Sequence, residues 1–124
     1  MTTTISLSFA ALNIDCADAA VLADFWGKAL GGPVSPGAVP GDMAVDASDP
    51  AGGPRMLFHP VPEPATVKAG FRPVLLTDNH DEEACRLRGL GAGTVSEITL
   101  PALRQTTLAD PEGNEFYLVT WQSE

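Results

Sequence analysis

Ala109-Asp110-Pro111-Glu112-Gly113-Asn114-Glu115-Phe116 is a turn that feeds a strand. Asp and Asn side chains fold back onto their own backbone, proline presets φ, and glycine accepts the conformations that close a tight reversal. Glu115 to Trp121 then alternates with period two, as a strand does. A related string, Asp49-Pro50-Ala51-Gly52, stands sixty-one positions earlier and leads into another strand-like run, Arg55 to Val61. Asp18 and Asp78 each precede a segment of helical periodicity and lie sixty apart. Leu30-Gly31 and Leu90-Gly91 end those segments at the same spacing. Three pairs in one order at nearly one interval indicate an internal duplication, and two copies are too few for a solenoid.

Each copy then takes a strand–helix–strands order. In the first, Ile5 to Ile14 is expected as a strand, with Leu12, Ile14 and Cys16 on one side and Ala11, Asn13 and Asp15 on the other. Asp18 caps a helix over Ala19 to Leu30, stopped by Gly31-Gly32-Pro33. Residues 35–54 are dense in turn formers, with a short strand over Met43 to Ala47. Pro60, Pro62 and Pro64 impose an extended linker. The second copy starts with a strand over Phe71 to Thr77. Asp78 or Asn79 caps a helix running to about Leu90, and strands follow over Thr94 to Leu100 and Leu103 to Ala109. The expected fold class is therefore α+β: one domain over 1–124, made of two fused modules (about 1–62 and 68–124), with helices on the outer face of a curved mixed sheet. The helix-free face forms a trough, a natural pocket.

Composition narrows the functions. The chain has 124 residues, 44% hydrophobic and 19% charged, with a formal charge of −9. Such an acidic surface repels phosphate backbones and anionic lipid, so neither nucleic acid nor membrane is an expected partner. No apolar run is long enough to cross a bilayer. Met1-Thr2-Thr3-Thr4 lacks the basic flank of a secretory signal, and a cytoplasmic location is the expectation. Cys16 and Cys85 lack metal-site spacing and are expected as reduced, buried thiols.

Asp15-Cys16-Ala17-Asp18, Leu22-Ala23-Asp24-Phe25-Trp26 and Leu30-Gly31 resemble the opening of glyoxalase/bleomycin-resistance/dioxygenase (vicinal oxygen chelate) domains. Arg86-Leu87, Leu90-Gly91-Ala92 and the Asp110-to-Phe116 string resemble their closing signature. The resemblance covers nearly the whole chain and implies paired βαβββ modules. Metal-dependent members hold a divalent ion through four side chains on the first and last strands of each module. Carried over, those positions fall near Ala11, at Pro54 or Arg55, near Arg72, and on Glu115, so one usable ligand is left. No cofactor is expected. A divalent metal would require a register slip that brings Asn13 or Asp15 forward. The homodimer common in the family is a possible assembly.

Five residues are expected at the trough as ligand contacts: Asn13, Arg72, Glu115, Tyr117 and His59. Arg72 and Glu115, on adjacent strands, would pair. Tyr117 shares the face of Glu115 by alternation and would add an aromatic wall, with Trp121 beyond it. His59 could act as a base, because imidazole titrates near neutrality. Glu115 and His59 are the catalytic candidates. His80, beside Asp81, Glu82 and Glu83, is expected on the solvated surface. Binding of a small, partly aromatic or apolar organic molecule without a catalytic metal is the leading expectation. The alternatives are a metal-dependent lyase, isomerase or dioxygenase, and a protein-interaction module with a vestigial pocket.

Overall fold

The computed structural model describes residues 6–7, 9–46, 54–63 and 71–122. Two βαβββ modules follow one another: β1 (Ala11–Cys16), α1 (Ala19–Leu30), β2 (Val34–Pro36), β3 (Met43–Val45) and β4 (Arg55–Pro60), then β5 (Val74–Leu76), α2 (His80–Leu90), β6 (Gly93–Thr99), β7 (Leu103–Ala109) and β8 (Glu115–Trp121). Each forms its own four-stranded mixed sheet, ordered β1-β4-β3-β2 and β5-β8-β7-β6. In each the first strand runs parallel to the last, and the other neighbours are antiparallel. The duplicated spacing thus marks duplicated topology.

Local sequence explains the helix ends. The Asp18 carboxylate accepts the Val21 amide at 3.1 Å, as an N-cap should. Gly31 adopts φ 70°, and the Gly31 and Gly32 amides both donate to the Gly27 carbonyl. A side chain at position 32 would collide with the Asp46 carbonyl, so glycine there lets β3 approach the helix end. Asn79 occupies the cap position of α2 but makes no side-chain cap bond. Thr77 instead accepts the Asn79 amide at 3.0 Å.

The core is one cluster drawn from both modules. Leu22, Phe25, Trp26 and Ala29 of α1 meet Val45, Met56 and Phe58 on one side and Leu87, Leu108, Phe116 and Leu118 on the other. Phe116 sits 4.9 Å from the Trp26 ring and 6.2 Å from Phe25, centroid to centroid. Polar ties fix the same helix at three points. Glu112 accepts the Ala17 and Asp18 amides at 2.8 and 2.9 Å. Asp110 accepts the Trp26 indole N–H at 3.0 Å. Arg86, held by Glu83, donates to the Lys28 and Ala29 carbonyls at 2.9 and 2.8 Å. These carbonyls lie in the last turn of α1, where intrahelical donors run out.

Several expectations need correction. Val34–Pro36 is a strand that runs into the segment expected to be turns, because it completes the antiparallel ladder of β3. The first strand starts at Ala11; residues 9–10 are outside it, and residues 1–5 and 8 are not described. The turn at Asp49 to Gly52 and the linker's Pro64 also lie outside the described residues. β5 covers only Val74–Leu76 and is an edge strand, so Arg72 precedes it rather than sitting in a strand beside that of Glu115. Cys16 is buried, and burial together with nearby carboxylates pushes its thiol up to about 11, whereas Cys85 is exposed. His80 is buried, not solvated. Its Nε2 lies 2.8 Å from Thr106 Oγ1 and its Nδ1 2.8 Å from Thr120 Oγ1. The Thr106 hydroxyl donates to Glu97, so it accepts from Nε2–H, which assigns the tautomer. Position in an acidic first turn misled the sequence reading; the sheet beneath supplied hydroxyls at both ring nitrogens.

Candidate functional site

Pairing registers decide which side chains share a face. In the first sheet, Asn13, Asp15, Leu57 and His59 point away from α1, since Leu12, Ile14, Met56 and Phe58 take the alternate positions facing it. In the second sheet, Phe116 and Leu118 face the core, so Glu115, Tyr117 and Val119 occupy the helix-free face with Val74 and Leu76. Four of the five expected contact residues, Asn13, His59, Glu115 and Tyr117, therefore belong to the helix-free side, and Arg72, just before β5, reaches Glu115 there.

The structure brings three of them together. A cavity of about 500 Å³ lies along the seam between the modules. Asn13, Arg72 and Glu115 line it. Its apolar wall comes from Leu12, Ile14, Met56, Phe71 and Pro73, with the edge of Trp26. Asp15, Asp110 and Asn114 complete the polar part. Because β1 is an edge strand, the cavity reaches residues from both of its faces. Arg72 Nε donates to Glu115 Oε1 at 3.4 Å, with both side chains partly exposed, a long contact that contributes little to stability. Asp110 is committed to structure: it accepts from Trp26, from both the amide and side-chain nitrogen of Asn114, and from the Glu112 amide.

Tyr117 and His59 do not line this cavity. Tyr117 is half-buried between Val74 and Thr107 on the second sheet. His59 ends β4, with Nδ1 2.6 Å from Asp42 Oδ1. The expected aromatic wall is supplied by Trp26 and Phe71 instead, and Trp121 stands apart, exposed. Trp26 belongs to the core, and only the seam reveals its second role. Asp15 was within reach, since it alternates with Asn13. Asp42 gave no signal amid the turn formers.

The two histidines titrate in opposite directions. The hydrogen bond and charge of Asp42, with a contribution from Asp15, hold His59 above the ordinary value of 6.5. Burial, with Arg104 adding to it, holds His80 below. His80 therefore costs stability as pH falls below about 6.5 toward its folded value, because the unfolded chain takes the proton first. His59 does the reverse: its contribution is full below 6.5 and is lost as pH rises through its folded value. NMR titration of the two imidazoles should give midpoints on either side of 6.5. Replacing Asp42 with Asn should bring the higher one down and leave the lower one unmoved.

A model of the glyoxalase-like domain matches residues 11–119. The chain belongs to the glyoxalase-like domain family. No curated protein matches it. Among solved structures, a glyoxalase/bleomycin resistance protein/dioxygenase family enzyme from Burkholderia phytofirmans PsJN aligns at TM-score 0.74 and 17% identity, covering 94% of this chain and 100% of that one. TnmS3, an antibiotic binding protein from Streptomyces sp. CB03234, aligns at TM-score 0.70 and 21% identity, covering 96% and 100%. A glyoxalase/bleomycin resistance protein from Albidiferax ferrireducens T118 gives TM-score 0.66 and 18% identity, covering 90% and 97%. At these identities the likeness concerns the fold.

The donor set does not fit the divalent ion of metal-dependent glyoxalase-like domains. Ala11 and Arg55 pair across β1 and β4, offering a methyl group and a guanidinium already 2.7 Å from Asp46. Arg72 and Glu115 pair with each other. One carboxylate, already paired with a guanidinium, is too few donors to hold a divalent ion against water. Among the described residues, no group of three or more His, Cys, Asp or Glu side chains has metal-holding geometry. No described helix is long and apolar enough to cross a membrane.

Proposed function

We propose that this protein binds a small, partly aromatic organic molecule, neutral or cationic, in the seam cavity, without a resident divalent metal. The observation that carries this reading is the cavity itself. Its volume lies within the range of small-molecule sites, its walls are apolar, and a few polar groups converge on it from two modules. The Asn13 side chain has no hydrogen-bond partner among the described residues, and neither does Glu115 Oε2, so both can meet a ligand's donors. Asp15 makes no Lys or Arg ion pair among the described residues and adds negative charge at the rim of a chain carrying −9, which disfavours anions. The antibiotic binding by TnmS3, on the same fold, supports binding as a sufficient function.

A thermal-shift screen with neutral and cationic aromatic molecules tests the reading. A ligand at about a hundred times its Kd should add about 2.7 kcal/mol to stability. It should also change the fluorescence of Trp26, read in a Trp121→Phe background. Asn13→Trp, which fills the cavity from an exposed position, should abolish both effects. Metal analysis should find less than one tightly held divalent ion per chain, and a chelator should leave the melting temperature unchanged. A library in which nothing binds, or binding that survives Asn13→Trp, defeats the proposal.

A further inference from the structure

The strand registers build a second chemical group outside the cavity. Met43 pairs with Phe58 in the antiparallel β3–β4 ladder, so position 42 falls opposite position 59. Asp15 pairs with His59 across the parallel β1–β4 ladder. Asp42, His59 and Asp15 thus form one row across three chain segments on the helix-free face. Asp42 is firmly placed. Its amide donates to the Val39 carbonyl at 3.0 Å, its carbonyl accepts the Gly37 amide at 2.8 Å, and its side chain is only 9% exposed. The carboxylate meets His59 Nδ1 at 2.6 Å, while the imidazole side chain is 40% exposed. Nδ1–H therefore donates to Asp42, and Nε2 carries the lone pair. Nothing among the described residues hydrogen-bonds to Nε2. A base whose ring is oriented by a third group while its other nitrogen stays open is the arrangement that general-base catalysis requires.

We infer that His59, positioned by Asp42, is a general base that activates water against a small ester whose apolar part lies toward the seam cavity. Asp15 borders both that cavity and the row, which links them. The row carries no hydroxyl, thiol or amine, so water is the nucleophile. Nε2 takes one proton as the water oxygen bonds to the acyl carbon. The tetrahedral adduct then expels the alcohol or phenol oxygen, which leaves with the carbonyl re-formed, and the imidazolium returns its proton to the departing oxygen or to solvent. No oxidant, reductant or metal enters. His59 is the catalytic residue and Asp42 its positioning residue. The groups facing the imidazole are Asp42, from the β2–β3 connection, and Asp15, from β1; α1 packs on the opposite face. Both carboxylates raise the imidazole toward working pH, where a general base is most effective. This inference goes beyond ligand binding and rests on that reading only for the seat of the ester's apolar part: an empty thermal-shift screen defeats the binding proposal, whereas loss of His59-dependent hydrolysis defeats this one.

The probe is p-nitrophenyl acetate, followed by release of p-nitrophenolate in a Cys85→Ser background, because the exposed Cys85 thiol would itself take the acyl group. Wild-type hydrolysis should exceed that of His59→Gln by about 10²-fold, the lower end of what a positioned base supplies. The rate should fall in D2O and rise with pH along a single step whose midpoint lies above 6.5. Asp42→Asn keeps an acceptor oxygen but removes the charge, so it should lower that midpoint toward 6.5, which a purely structural role would not do. Should this variant fail to fold, agreement between the wild-type kinetic midpoint and the NMR titration of His59 supplies the same test. Equal rates in His59→Gln, no solvent isotope effect, or a midpoint unrelated to His59 would overturn the inference.

Discussion

Phe116→Ala is expected to destabilise the protein by about 3–5 kcal/mol, the usual cost of deleting a buried aromatic ring. Phe116 has no solvent exposure and packs against Trp26 and Phe25 at the point where the two modules share their core. The ring cannot be replaced by local collapse, because β8 is held in register by β5 and β7 on its two sides. α1 in turn is pinned by three polar ties. The melting temperature should fall by roughly 10–20 °C, and the urea midpoint should fall with it. A change below about 1 kcal/mol would show that the module interface is not the seat of the stability assigned to it.

Asp110→Ala should cost roughly 3 kcal/mol, for a different reason. The carboxylate is buried and gathers donors from Trp26, Glu112 and Asn114. Truncation strands the indole N–H and the two amides of the Asp110–Asn114 turn, and an unmet buried donor costs more than a formed bond gains. Trp26→Phe removes one donor while keeping most of the ring, and should cost about 1–2 kcal/mol. Because both changes remove the same bond, the double variant should be less damaged than the sum, by about 1 kcal/mol or more in a double-mutant cycle. Strict additivity would mean that the indole and the carboxylate do not cooperate.

The duplication was legible because chain reversals leave chemical marks. Asp18, Gly31, Gly91 and the Asp110–Asn114 turn each sit where capping or a positive φ demands those residue types. β2 was not legible: Val34-Ser35-Pro36 has no pattern of its own and is a strand only because β3 lies beside it. The same limit applied at the site. Asn13, Arg72 and Glu115 were all expected at the trough, and the seam makes them neighbours. Tyr117, placed by alternation with Glu115, and His59 were expected there too, but a face is wider than a pocket, and neither lines the cavity. His80 shows the complementary failure. Its sequence neighbours are acidic and exposed, while its structural neighbours are two threonines forty and twenty-six residues downstream.

Arg86, which clasps the carbonyl end of α1, occupies the place in α2 that Trp26 holds in α1, sixty positions earlier. Equivalent positions thus hold an aromatic plug in one half and a cationic clasp in the other. The halves fit as lock and key. A chain assembled from two first halves would carry two plugs and no clasp, and one from two second halves the reverse. Repeated topology thus carries unlike contacts, and each half completes the other.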